Sequence, residues 1–197
     1  MTIDPWRITG QPQIDSYVDR WVERAAHLVN ALTVTAAHGR AVTPPASGGE
    51  RLAAIDACLA APSRLTPADA DHLAEVAAEL RDVFGAAGRL HAAAARLNDV
   101  LIRHRAVPNL HGDPPVLAFH APDATLAGAW VADMATALAM VVGVGQGARL
   151  GLCQAGNCSR VFFDTTRNAS RRFCDLSCQN RAKASAYRAR RAARAPS

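Results

Sequence analysis

Apolar residues recur at spacings of three and four through Ile14–His38, where Ile14, Val18, Trp21, Val22, Ala25, Leu28, Val29 and Leu32 form one stripe and predict an amphipathic helix. Asn30 lies on this otherwise apolar stripe, a candidate ligand-binding or fold-fixing residue. The Pro- and Gly-rich stretch Gly39–Gly49 reads as a linker, followed by a short helix at Glu50–Ala60. Ser63–Phe84 opens with Thr66 as N-cap, Pro67 at the first helical position and Asp69 three residues after the cap; Leu73, Val76, Ala77, Leu80 and Phe84 form its inner face. After Gly85–Gly88 a helix at Arg89–Arg105 carries Leu90, Leu97 and Leu101, and the two helices are expected to pair antiparallel. Val107–His120, with Pro108, Gly112, Pro114 and Pro115, predicts a small hairpin. Asp123 or Thr125 then starts a helix with Leu126, Trp130, Met134, Leu138 and Val141 on one side.

That last helix is the one stretch whose pattern also fits a bilayer, because Asp133 is the only charge in Ala124–Ala148. A span needs about 20 apolar residues, but an Asp near its centre costs about 2.5–3.5 kcal/mol. Its Ala, Gly and Thr content favours a buried core helix, with Gly143, Gly145 and Gly147 as a joint to the C-terminal segment. Met1–Gly10 has neither a basic start nor a long apolar run, so no secretory signal is expected. The 197 residues suffice for one domain and a small appendage, and abundant Ala with few aromatics predicts closely packed helices. Cys58, among Ala and Leu, reads as a small buried hydrophobe, and the seven histidines show no ligand spacing. There is no Gly-rich phosphate loop, no carboxylate pair on a common face and no nucleophile motif, so an enzyme is not expected.

Chemistry concentrates at the C-terminal end. Four of the five cysteines form two close pairs, Cys153-x4-Cys158 and Cys174-x3-Cys178, separated by fifteen residues. Two short pairs at this separation suit a tetrahedral metal site, with one structural zinc ion the first choice. Disulfides, an Fe–S cluster and a redox-switched zinc site are the alternatives, the first disfavoured by the lack of a secretory signal. Four thiolates would close the site to water, which removes metal-assisted hydrolysis. Gly156 and Asn157 allow a tight turn inside the first pair. Arg160–Asp164 reads as a strand, Thr165–Ser170 as a turn and Arg171–Phe173 as the returning strand. Cys174 and Cys178, four apart at a helix start, share one face.

The string from Cys153 through Phe162-Phe163-Asp164, Arg167-Asn168, Arg171-Arg172-Phe173-Cys174 and Cys178-Gln179-Asn180-Arg181 resembles the CGNR zinc-finger family. Gln179 stands where the family name has Gly, and Phe173 where Trp is commoner. The resemblance implies an N-terminal helical ABATE domain, to whose opening motif Leu28-Val29-Asn30-Ala31-Leu32 is similar, and a role as a stress-induced bacterial transcription regulator. The expected architecture is mainly α with a small β-hairpin: an ABATE-like helical domain over 1–147 and a treble-clef-like, α+β zinc finger over 148–197.

Charge adds the partner. Gly151–Ser197 holds ten Arg and Lys against two Asp, a balance of +8, whereas the first 150 residues sum to −3, together giving the chain's +5. A basic module on a mildly acidic body is the footprint of a nucleic-acid binder. On the terminal helix Cys178, Ala182, Ala186, Ala189 and Ala193 make a narrow stripe that could pack on the hairpin, with Arg181, Arg188 and Arg191 on one shoulder and Lys183, Tyr187, Arg190 and Arg194 on the other. Expected duplex-DNA contacts are therefore Arg167, Arg171, Arg172, Arg181, Lys183, Arg188, Arg190, Arg191 and Arg194; Arg181 could instead pair with Asp164. The main alternative is a zinc-stabilised module for protein or RNA. A small-molecule or protein signal at the N-terminal domain, a homodimer, no membrane and a cytoplasmic, nucleoid-associated location complete the expectations.

Overall fold

The apolar stripe of the first segment becomes the hub of the molecule. A computed structural model describes residues 11–86 and 88–192. Helix α1 (Gln11–Leu32) buries Val22, Ala25, Leu28 and Val29. It packs against α2 (Gly48–Leu59), α3 (Pro67–Arg81) and α5 (Leu126–Gly143). Between α3 and α5 comes α4 (Leu90–Arg103), and the last helix is α6 (Leu176–Ala192). Three two-stranded antiparallel sheets complete the described residues: β1 (Ala36–Ala37) with β2 (Arg40–Ala41), β3 (Asn109–His111) with β4 (Val116–Ala118), and β5 (Leu150–Leu152) with β6 (Val161–Phe163). The protein is mainly helical, as the periodicity predicts.

Several local signals act as expected. Thr66 caps α3 in a full capping box with Asp69, and Thr125 accepts from Gly128 N to start α5. α5 is long and apolar enough to cross a membrane by length and composition, but here it is buried against α1, α3 and α4. Its buried Asp133 accepts from Tyr17 Oη at 2.7 Å and Phe119 N at 2.8 Å, and lies 2.9 Å from His120 Nδ1. Burial, then the hydrogen bond and charge of Asp133, push the Tyr17 phenol well above its ordinary value. Cys58 sits half-buried at the edge of the core.

Three expectations change. The first helix ends at Leu32, not His38: Thr33 bonds back to Val29 O, and the chain turns through His38 and Gly39, at φ +52° and +88°, to pair β1 with β2. Beyond Leu32 the apolar stripe gives way to Thr33-Val34-Thr35, which favours extended chain. Second, α4 turns its buried Ala93, Leu97 and Val100 chiefly toward α5; its direct links to α3 include the Arg103–Glu79 and Arg96–Asp82 ion pairs and the His72–His104 ring contact. Third, β6 does not return through Arg171–Phe173. It pairs with β5, Leu150 opposite Phe163 and Leu152 opposite Val161, a strand hidden in the Gly-rich joint.

The C-terminal unit is fastened to the helices along its backbone. Asn30 Nδ2 donates to Val161 O at 2.9 Å, and Val161 N donates to Asn30 Oδ1 at 2.8 Å, so both ends of the carboxamide tie β6 to α1. Gly85 N donates to Leu150 O at 2.6 Å, at a φ of +72° where a Cβ would lie 2.5 Å from the Leu152 side chain. Ser159 N donates to Ala36 O at 2.8 Å, Gly39 N to Asn157 O at 2.9 Å, and Arg81 Nη2 to Ser159 O at 2.6 Å. Leu150 and Val161 belong to the same buried cluster as Leu28, Leu80 and Leu138, so the apolar core crosses the expected boundary at residue 147. Replacing Asn30 by Ala leaves both polar groups of Val161 without this partner, and should destabilise the zinc-loaded protein by about 2 kcal/mol in denaturant unfolding.

Candidate metal centre and cationic helix

The first two sulfurs come from the loop between β5 and β6. Cys153 N donates to Arg160 O at 2.9 Å, and Asn157 takes φ +53° at the tip, the tight turn that Gly156-Asn157 implies. The other two come from the start of α6, where Asp175 Oδ1 accepts from Cys178 N at 2.8 Å and caps the first turn. Cys153, Cys158, Cys174 and Cys178 converge with all four sulfurs within 4.8 Å of one another, Cys153 and Cys178 buried.

This spacing separates a metal centre from a disulfide. The Cys158–Cys174 and Cys174–Cys178 sulfurs are 3.8 and 3.6 Å apart. A disulfide needs about 2.05 Å, whereas a tetrahedron with Zn–S near 2.3 Å has edges of about 3.8 Å. The thiols also obstruct one another's ionisation. Burial, then the neighbouring sulfurs, push Cys174 well above its ordinary value, and burial pushes Cys178 up to about 11. Burial would also raise Cys158, but the backbone N–H groups of Arg160 and His38, together with the Cys153 and Cys178 thiols, outweigh it and hold it below the ordinary thiol value. Four thiolates at this distance are stable together only around a cation, and the sulfur-only donor set suits zinc.

The comparison with protein families agrees with this geometry. Residues 149–191 match the CGNR zinc finger family. No curated protein matches the chain. The zinc finger thus begins in the short turn before β5 and takes in all four cysteines and nearly all of the described part of α6. A zinc ion held by Cys153, Cys158, Cys174 and Cys178 would be structural, with no ligand position left for a water.

The arginines of the finger divide into two groups. Arg171 is exposed, but its guanidinium is also bonded within the finger. Its guanidinium donates to Phe173 O at 2.9 Å, Phe163 O at 3.2 Å and Cys174 O, and lies 4.8 Å from the Phe162 ring centroid. Arg172 Nε donates to Gln154 Oε1 at 2.7 Å. Arg181 does not pair with Asp164; its Nη2 reaches Gly156 O at 3.0 Å and Cys178 Sγ at 3.7 Å, clasping the knuckle to the helix against Gly39. Asp164 is instead the centre of its own loop. The buried carboxylate accepts from Thr166 N at 2.8 Å, Thr166 Oγ1 at 2.6 Å and Arg171 N at 2.7 Å, the local bonding that replaces the expected returning strand.

Arg167, Lys183, Arg188, Arg190 and Arg191 form the second group, all exposed, and among the described residues no ion pair or hydrogen bond holds any of them. Arg194 and Ala193 lie outside the described residues. The Ala stripe does not pack on the hairpin: from Lys183 to Arg191 every residue of α6 is exposed, Ala186 and Ala189 included. A helix anchored only by its first turn projects beyond the reach of so small a sheet.

Sequence spacing missed His38 and Asp175. His38 Nδ1 lies 3.7 Å from Cys178 Sγ and 3.2 Å from Asp175 Oδ2, brought there by the β1–β2 turn, 136 positions before Cys174. No local spacing rule spans that distance; the only trace was His-Gly after an extended-favouring stretch.

Zinc binding in comparable small modules is worth about 10–16 kcal/mol, so chelation, or Cys174→Ser or Cys178→Ser, should unfold the knuckle and α6. Far-UV circular dichroism should lose helix while the fluorescence of Trp21 and Trp130, both in the helical body, stays near that of the intact protein. A second test concerns pH. Burial raises the Asp164 pKa, but the bonds from Thr166 and Arg171 outweigh it, and the carboxyl lies below its ordinary value. Its stabilisation is present above the unfolded carboxyl pKa and lost as pH falls through the folded one. Asp164→Asn should therefore cost about 2 kcal/mol at neutral pH, and the gap to wild type in urea unfolding should shrink below the ordinary carboxylate range.

Proposed function

We propose that the chain is a zinc-dependent, DNA-binding transcription regulator. The observation that carries this reading is α6: Lys183, Arg188, Arg190 and Arg191 stand exposed on a helix whose faces the body leaves uncovered. At 1.5 Å per residue its 17 residues extend about 25 Å, long enough to lie in a major groove with cations toward both phosphate walls. Arg167, on the loop after β6, adds a further cation. Arg171, Arg172 and Arg181 hold the finger together and contribute to binding through its shape. The zinc serves to fix the start of α6, and no catalysis is assigned to it.

The helical body is the signal-receiving or associating part. An open cleft of about 660 Å³ runs between α1, the end of α5 and the loop after β6, lined by Ile14, Val18, Met140, Arg149 and Arg167 among others. A ligand there would touch both the body and the finger, which is the connection a regulator requires. A stress-responsive role, a homodimer and a cytoplasmic, nucleoid-associated location belong to the same reading.

The test is selection of zinc-loaded full-length protein on a random duplex library at near-physiological salt, where an enriched motif is expected. Arg188→Ala, Arg190→Ala and Arg191→Ala together should then weaken binding to that site and reduce the slope of log affinity against log salt by up to about 2.7. No enrichment by protein containing one zinc, or an unchanged slope in the triple variant, would overturn the reading.

A further inference from the structure

The cysteine cluster has a second quartet built on it. His38, Cys174, Asp175 and Cys178 also place one donor atom each within 4.8 Å of one another, and this group shares only Cys174 and Cys178 with the four-sulfur site. Three of its six edges fit a tetrahedron. Cys174 and Cys178 sulfurs are 3.6 Å apart, His38 Nδ1 is 3.7 Å from Cys178 Sγ, and His38 Nδ1 is 3.2 Å from Asp175 Oδ2. Ligand distances of about 2.0–2.3 Å for nitrogen, oxygen and sulfur on zinc require S–S, N–S and N–O edges of about 3.8, 3.6 and 3.3 Å.

We propose that Cys174 and Cys178 are bridging thiolates, shared between the structural zinc and a second divalent metal position completed by His38 Nδ1 and Asp175 Oδ2. The chemistry of the donors favours this. A thiolate bound to one zinc keeps lone pairs that a second cation can use. Four thiolates around one dication leave a net charge of −2, the Asp175 carboxylate makes it −3, and a second dication reduces it to −1. One imidazole, one carboxylate and two sulfurs form a borderline set suited to zinc, cobalt or cadmium rather than magnesium or calcium. Asp175 can supply Oδ2 because its cap on Cys178 N uses Oδ1. His38 and Asp175 are about 40% exposed at their side chains, so the position is open to solvent and exchanges its metal more readily than the closed zinc.

The position also joins two parts of the molecule. His38 belongs to the β1–β2 turn of the helical body, and the other three donors start α6. Since α6 has no covered residue from Lys183 to Arg191, its direction is set by its first turn. A metal at the second position would bind that turn to the body and make the direction of the cationic helix depend on metal supply. This rests on the four-sulfur zinc site and on no assumption about DNA.

The experiment is a titration of metal-free full-length protein with ¹¹³Cd²⁺ under reducing conditions, read by metal stoichiometry and cadmium NMR. Wild type should take two equivalents, the second more weakly, and show two resonances coupled through the shared sulfurs. His38→Asn suits the φ of +52° at that turn but is too short to reach the metal. Asp175→Asn keeps the helix cap. Each should keep the first equivalent and its four-sulfur resonance; His38→Asn should lose the second equivalent, and Asp175→Asn should weaken it at least about tenfold. A single equivalent in wild type, or a second unaffected by either variant, would overturn the second position and leave the zinc finger standing. Failure to bind even one equivalent would instead overturn the four-sulfur site, and the proposal with it.

Discussion

Val161 sits in a sheet whose one other strand among the described residues is β5, so its outward N–H and C=O, pressed against α1, would be buried without partners. Asn30 supplies both from the middle of an otherwise apolar helix face. A side-chain carboxamide is the one group that reproduces the donor and acceptor of a neighbouring strand. This exchange fixes the depth and rotation at which β6 meets α1, and the other backbone links depend on it. Once β6 is placed, Ser159 reaches Ala36, Asn157 reaches Gly39 and Leu150 reaches Gly85. The finger is thereby an extension of the helical core rather than a bead on a linker.

The metal operates within that frame. Two sulfurs come from a knuckle bonded to the body along its backbone, and two from the start of α6, which meets the body only near His38 and Gly39. Ligation therefore transmits the position of the body to α6 through few atoms. Arg171 and Arg181 reinforce the same joint, one tying the loop after β6 to the Phe173 and Cys174 carbonyls, the other tying α6 to the Gly156 carbonyl. Their charge has an internal use, so counting cations alone overstates how many are without a partner in the finger.

What the sequence revealed depended on the range of each interaction. Thr66-Pro67-Asp69, the Thr125 cap and the two cysteine pairs are local signals, and each placed its element or site within a few residues. Asn30 stood out as a polar residue on an apolar stripe, although nothing in the pattern named Val161 as its partner. The pairing of β5 with β6 was hidden because Leu150-Gly151-Leu152 looks like part of a Gly-rich joint, and Gly151 is small for a packing reason: a Cβ there would lie 2.3 Å from the Phe162 ring. His38 was illegible for a different reason, since its proximity to Cys178 exists only after a hairpin of two-residue strands has turned it. The internal bonds of Arg171 were not legible, because a long side chain on an exposed loop can fold back onto carbonyls that the sequence does not show to be unpaired.

The exposure of α6 raises the question of what keeps it helical without packing. Isolated helices of fewer than about 12–15 residues are marginal in water because the first turn must be fixed before any bond is gained, a nucleation factor of about 10⁻³. Here that turn is fixed from outside: Cys178 belongs to the metal-binding cluster, Asp175 caps its N–H, and Arg181 holds the next residues to the knuckle. Beyond Ala182 the composition needs little further support, since Ala and Arg are among the best helix formers and Arg190 and Arg191 lie at the negative end of the helix dipole. An exposed helix of this kind gains nothing from the body's core, so its sequence answers to demands other than packing. Its small residues let a partner approach the backbone closely while the cations extend past them, and the anchoring of the whole helix at one end makes the metal centre the place where its orientation is decided.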